Sequence, residues 1–116
     1  MRRTIKRRTP AEREASLAWK VEVGPCQICP AQGRECDGEV AGHHAVTQQA
    51  LRKRGLDAFL WDTRNKVDVC ERAHAAHHNR SRPIPAELLP DSVWAFAADL
   101  GLVWYLERYY VESVAA

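Results

Sequence analysis

The sequence predicts an α+β domain in which two short β-segments lead into a helix, with further helices on either side. Three observations carry this expectation. Lys66-Val67-Asp68-Val69 alternates polar and apolar residues, the period of a half-buried strand, and Glu39 to His44 is a second short segment of extended character. Glu71 to Asn79 is rich in alanine and free of Gly and Pro, which suits a helix. The length of 116 residues fits one hydrophobic core. With 46% apolar and 28% charged residues the composition is that of a globular domain and excludes a disordered chain. The longest apolar run, Val93 to Ala98, is broken by Asp99 and is far too short to span a membrane. No apolar segment follows the basic start, so a secretory signal is not expected, and the chain is expected in a reducing cytoplasm.

The elements follow from local signals. Thr9-Pro10-Ala11-Glu12 forms a capping box with proline at the first helical position, and the helix it starts runs to about Lys20, before Gly24-Pro25. A cysteine-bearing loop spans Cys26 to about Gly38. Thr47 caps a short basic helix, Gln48 to Arg54, which Gly55 ends. Leu56 to Thr63 is expected to cover the domain surface. Arg80 to Pro90 holds three prolines and reads as a connector. Asp91 or Ser92 then caps a helix from Val93 to Leu100, closed by Gly101, and Val103 to Val111 reads as a last helix. That tail is expected to be a structural cap or a dimer surface and not a chemical site. The division expected is a basic arm and helix over residues 1–24, a core over 25–82 and a helical cap over 83–116.

The net charge of +2 conceals a split. Residues 1–82 carry 16 Lys/Arg against 10 Asp/Glu, and residues 83–116 carry one Arg against five acids. Seven basic side chains lie in the first twenty residues. Such an arm can track a phosphate backbone by releasing condensed counterions, although a solvated terminus has the same composition.

Cys26-Gln27-Ile28-Cys29 is a CxxC knuckle whose thiolates can clamp one zinc ion. Cys36 and Cys70 could complete a tetrahedral all-cysteine site, with Cys36 replaceable by water or another side chain. A reducing compartment favours zinc over disulfides, and a small domain gains much from such a staple. Gly24-Pro25 before the knuckle and Pro30 after it argue against a redox dithiol at a helix N-terminus.

All five histidines lie between residues 43 and 78, in two groups. On a helix His74 and His78 are one turn apart on one face, a metal-ligand spacing, whereas His77 is rotated by about 100° from His78. His43 and His44 are adjacent on a strand, so they face opposite sides. One can ligate a metal while the other faces water or substrate as a general base.

These residues resemble the HNH endonucleases, the ββα-metal nucleases: Gly42-His43-His44, then Asn65 to Cys70, then His74 to His78, with a CxxC upstream. The similarity covers roughly residues 26–79, and the flanking segments resemble small phage or prophage members. Ala73 departs from the family pattern, standing where the second cysteine of a Cys-x-x-Cys-His would be. The resemblance implies an α+β fold with a ββα-metal core and zinc knuckle, flanked by an N-terminal helix and a C-terminal helical tail. It implies a divalent ion (Mg, Mn, Ni or Zn) on His43, His74 and His78, His44 as general base, and Asn65 holding the loop between the strands. It also implies structural zinc on Cys26, Cys29, Cys36 and Cys70, and hydrolysis of duplex DNA to 5′ phosphate and 3′ hydroxyl. Arg52, Lys53, Arg54, Arg64 and Arg80 are candidates for contacting the DNA backbone, with no pattern that reads bases. Target choice would then come from a phage or host protein, and a monomer or a homodimer fits equally.

Other classes remain open. A zinc-stapled nucleic-acid-binding module without catalysis would bind DNA and cut it in no metal, and a scaffold held by two metals would do neither. A metallopeptidase is disfavoured because Ala75 stands where an H-E-x-x-H motif needs its glutamate.

Overall fold

The structure, a computed structural model, describes residues 9–111. The basic run from Arg2 to Arg8 and the last five residues of the tail lie outside the described residues. Within them the chain is α+β, with five α-helices and one two-stranded antiparallel sheet. No helix among these residues is long and apolar enough to cross a membrane.

Helix α1 (Pro10–Val21) begins at the expected capping box. The Glu12 amide donates to Thr9 Oγ1 and the Thr9 amide donates back to Glu12 Oε2, both at 3.2 Å. Its buried face is Ser16 and Trp19, three residues apart and therefore on one side. Its end is tied to the sheet by Lys66, whose ammonium donates to the carbonyls of Trp19 and Glu22, a cation placed where the helix dipole is negative.

Strands β1 (Val40–His44) and β2 (Lys66–Cys70) pair with Val40 opposite Cys70, Gly42 opposite Asp68 and His44 opposite Lys66. Helix α3 (Glu71–His78) follows β2 with no residue between, so the order is strand, strand, helix. The cysteine knuckle continues the sheet edge, because the Gln27 amide donates to the Asp68 carbonyl and Gln27 Oε1 accepts from the Asp68 amide, each at 2.8 Å. The loop before β1 satisfies the first amides of α3: Glu71 N–H donates to Glu39 O and Arg72 N–H to Asp37 O. This fold-back needs Gly38, which has φ +83° and lies so close to Glu71 that a Cβ would overlap its side chain.

Helix α2 (Gln48–Lys53) starts on the expected Thr47 cap. Helices α4 (Asp91–Leu100) and α5 (Val103–Tyr109) pack on the hairpin, and Phe96, Leu106 and Val93 join Val67, Val69, Val46 and Ile28 in one core. Each such side chain contributes about 1.5–3 kcal/mol by leaving water.

Two expectations are corrected. Neither Asp91 nor Ser92 caps α4: the cap is Pro90, in extended backbone with no side-chain bond, and Asp91 is already helical, its carboxylate in the positive first turn. The last helix also stops before Val111. There the chain straightens, and Val111 pairs with Pro85 in a parallel bridge as the Ala86 amide donates to its carbonyl at 2.7 Å.

Candidate active site

Four cysteines from three segments meet beside the start of α3. Their sulfurs all lie within 4.8 Å of one another, Cys29 and Cys70 are 3.6 Å apart, and all four are free of disulfides. Sulfurs sharing one tetrahedral zinc at about 2.3 Å each would stand about 3.8 Å apart, so the cluster could hold a zinc ion. Cys36, the doubtful member on sequence, comes into range because its loop folds onto the amides of α3. The electrostatics are uneven. Burial and the Cys70 thiol beside it push Cys29 up to about 12. Burial also acts against the Cys70 thiolate, but the amides of Ala73 and Asp37 outweigh it and bring Cys70 down to about 7. The start of the helix thus favours the thiolate of Cys70 over that of Cys29.

At the far end of the same hairpin, His43, His74 and His78 bring one ring nitrogen each within 4.8 Å of the others. His74 Nε2 and His78 Nε2 are 2.9 Å apart. Two nitrogens bound to one ion at about 2.0–2.1 Å lie about 3 Å apart, so this trio also fits a shared ion. Among the described residues three donors converge, fewer than the four that close a tetrahedral site. His43 is buried; burial and the neighbouring rings of His77, His74 and His78 push it down to about 3, and burial and His78 also lower His74. Both are neutral at physiological pH, as ligands must be. His77 stays outside the trio. Its Nδ1 accepts from the Ile84 amide at 2.9 Å, and its ring stacks on Tyr110.

His44 turns to the other side of the strand. Its ring stacks on Trp19 at 4.1 Å and meets the edge of Trp61 at 5.3 Å. His44 Nε2 is 2.8 Å from the Leu60 carbonyl. A carbonyl only accepts, so the proton is on Nε2 and Nδ1 keeps its lone pair. Burial lowers the pKa of His44 below 6.5; the Leu60 carbonyl opposes this, and Lys20 and Arg52 reinforce it. His43, His44, His74 and His78 all line one cleft of about 680 Å³, with Trp19 and Lys20 on its wall. The close seat of Trp19 requires Gly42, where any Cβ would collide with the indole.

Asn65 is fully buried and clamps Val46 from both sides: its Oδ1 accepts from the Val46 amide at 2.8 Å and its Nδ2 donates to the Val46 carbonyl at 2.9 Å. It thereby holds the chain that leaves β1 just after His44. The five basic candidates are dispersed. Arg80 lines a smaller pocket on the other side of His43, and Lys53 and Arg54 line another beside Tyr105 and Tyr109. Arg52 donates to Gln48 Oε1 at 3.3 Å. Arg64 is engaged internally, donating to Asp99 at 2.6 Å and to Asp62 at 3.1 Å.

Three contributors were missed on sequence. Trp19 and the Leu60 carbonyl fix the ring of His44, and Tyr110, from the tail expected to carry no chemistry, reaches His43. The buried spacing of Ser16 and Trp19 marks a packed helix face but does not name what it packs on. Leu60 acts through its backbone and leaves no side-chain signal.

Comparison with protein-family models, with curated proteins and with solved structures returns no match.

Proposed function

We propose that this protein is a metal-dependent endonuclease of the HNH type that hydrolyses DNA phosphodiester bonds. The observation that supports it best is the placement of His44: a neutral, immobilised imidazole with a free Nδ1, lining the same cleft as three histidines that converge like metal ligands.

His43, His74 and His78 would hold the divalent ion, and the four cysteines a zinc ion of structural role. When bound, the divalent ion neutralises charge gathering on the phosphate during substitution. His44 Nδ1 takes a proton from the attacking water as its oxygen bonds to phosphorus, the bond to the 3′ oxygen breaks, and that oxygen takes a proton from solvent. The products are a 5′ phosphate and a 3′ hydroxyl. Leu60, Trp19 and Trp61 keep the base from rotating away, so its geometry is present before substrate arrives. Asn65 keeps the strand end from shifting. Lys20 on the cleft wall, with Arg52 close enough to act on His44, would supply positive charge for the DNA backbone. The absence of a base-reading pattern fits target choice by a separate phage or host protein.

Incubation of supercoiled plasmid with the protein and magnesium, manganese or nickel, with an EDTA control, tests this reading. The wild type should nick in at least one metal. His44→Ala should be slower by about 10²- to 10⁴-fold, the usual worth of a general base, while still binding metal and DNA. Wild-type nicking by His44→Ala removes the base assignment. DNA binding without cleavage in any metal makes the chain a zinc-stapled binding module instead.

A further inference from the structure

The C-terminal tail does more than cover the core. Tyr110 is buried, and its hydroxyl lies 2.5 Å from the Ala45 carbonyl and 2.9 Å from His43 Nε2. The Ala45 oxygen can only accept, so the tyrosine proton points there. The phenol oxygen is then left to accept, and the His43 bond must run from Nε2–H to Tyr110. In a neutral imidazole this leaves the lone pair on Nδ1. The phenol ring lies flat on His77 at 5.1 Å and 13°, and His77 is itself fixed by the Ile84 amide. One residue further on, the Val111 carbonyl accepts from the Ala86 amide, anchoring the tail beside the connector that leaves α3.

We propose that Tyr110 is a positioning residue for the metal centre: it holds His43 in the Nε2–H form with Nδ1 presented to the ion. This rests on the reading of His43, His74 and His78 as one metal site. The tail is thus a strap, held to the end of strand β1 by the Tyr110 hydroxyl and to the connector after α3 by the Val111 carbonyl. A metal-bound imidazole whose other N–H is held by a fixed acceptor is a better-oriented and more basic ligand, and loss of such a partner lowers metal affinity by about 10- to 100-fold. The same tail carries a natural control. The Tyr105 hydroxyl contacts Thr47, not a histidine.

Manganese or nickel is titrated by calorimetry into protein carrying its cysteine-bound zinc, for the wild type, Tyr110→Phe and Tyr105→Phe, well below their melting temperatures. Phenylalanine keeps the ring on His77 and removes only the hydroxyl. Tyr110→Phe should bind about 10- to 100-fold more weakly with unchanged zinc content, and Tyr105→Phe should match the wild type. Equal affinity in Tyr110→Phe and wild type overturns the proposal. If Tyr110→Phe fails to fold, imidazole ¹⁵N spectra of the wild type decide: zinc added as a diamagnetic probe should shift His43 Nδ1 and leave Nε2 protonated. Metal arriving at Nε2 overturns the proposal. A wild type with no ion at the His74 and His78 rings overturns both it and the metal-site reading, whereas a bound wild type indifferent to Tyr110→Phe overturns only the role of Tyr110.

Discussion

The two clusters that fit metal ions stand at opposite ends of one strand-strand-helix unit and differ in how far their protein donors close around a point. At the Cys70 end four sulfurs surround a point, three of the cysteines are buried, and no protein-free position remains around a tetrahedral ion. At the His43 end three nitrogens converge and open onto a 680 Å³ cleft. Helix α3 serves both, and its polarity explains the division. Its N-terminal amides face the cysteine end, where that of Ala73 favours the Cys70 thiolate, and His74 and His78 lie further along the helix. Donor number and donor charge, more than metal-binding capacity as such, distinguish the ends.

The sharpest way to break this contrast is to remove one ligand from each end. Cys70→Ser should lose bound zinc and cost at least about 3 kcal/mol, which for a domain of this size lowers the melting temperature by roughly 12 °C or more. His74→Ala should keep its zinc, melt within about 3 °C of wild type and lose cleavage by at least about 100-fold. Circular dichroism melts with metal analysis check both. Equal destabilisation by the two substitutions would make the histidine end a second staple.

A smaller effect is expected from Asn65→Ala. It leaves the Val46 amide and carbonyl unpaired in the core at a cost of about 1–3 kcal/mol, measurable by urea denaturation. Because Val46 follows His44 so closely, cleavage should fall as well, while metal content stays constant. A drop in metal content instead would place Asn65 in the support of the metal ligands and not of the base.

What was legible in the sequence is what is encoded locally. Thr9, Pro10 and Glu12 announce α1, Thr47 announces α2, and the alternation of Lys66 to Val69 announces β2, since each depends on neighbours within a few residues. The grouping of His74 with His78 follows from helix pitch, and the opposite facing of His43 and His44 from the strand pleat. The remainder is long-range. Cys36 joins the cysteine cluster only because distant carbonyls cap α3. Tyr110 and Trp19 reach the doublet across 67 and 25 positions of sequence, and the Leu60 carbonyl has no side-chain identity to notice. Pro90 displaced the expected caps of α4 because its fixed φ and extended ψ already start the helix.

One end of this unit is enclosed by four sulfurs and the other opens onto a cleft. Chelation followed by metal add-back separates the two ends. The protein is treated with EDTA, its metal content is measured, and plasmid nicking is followed before and after magnesium, manganese or nickel is restored. One zinc per chain should survive, nicking should stop, and added metal should restore it without refolding. Retention of a single zinc with no nicking in any metal, before or after add-back, would contradict a catalytic role for the histidine end.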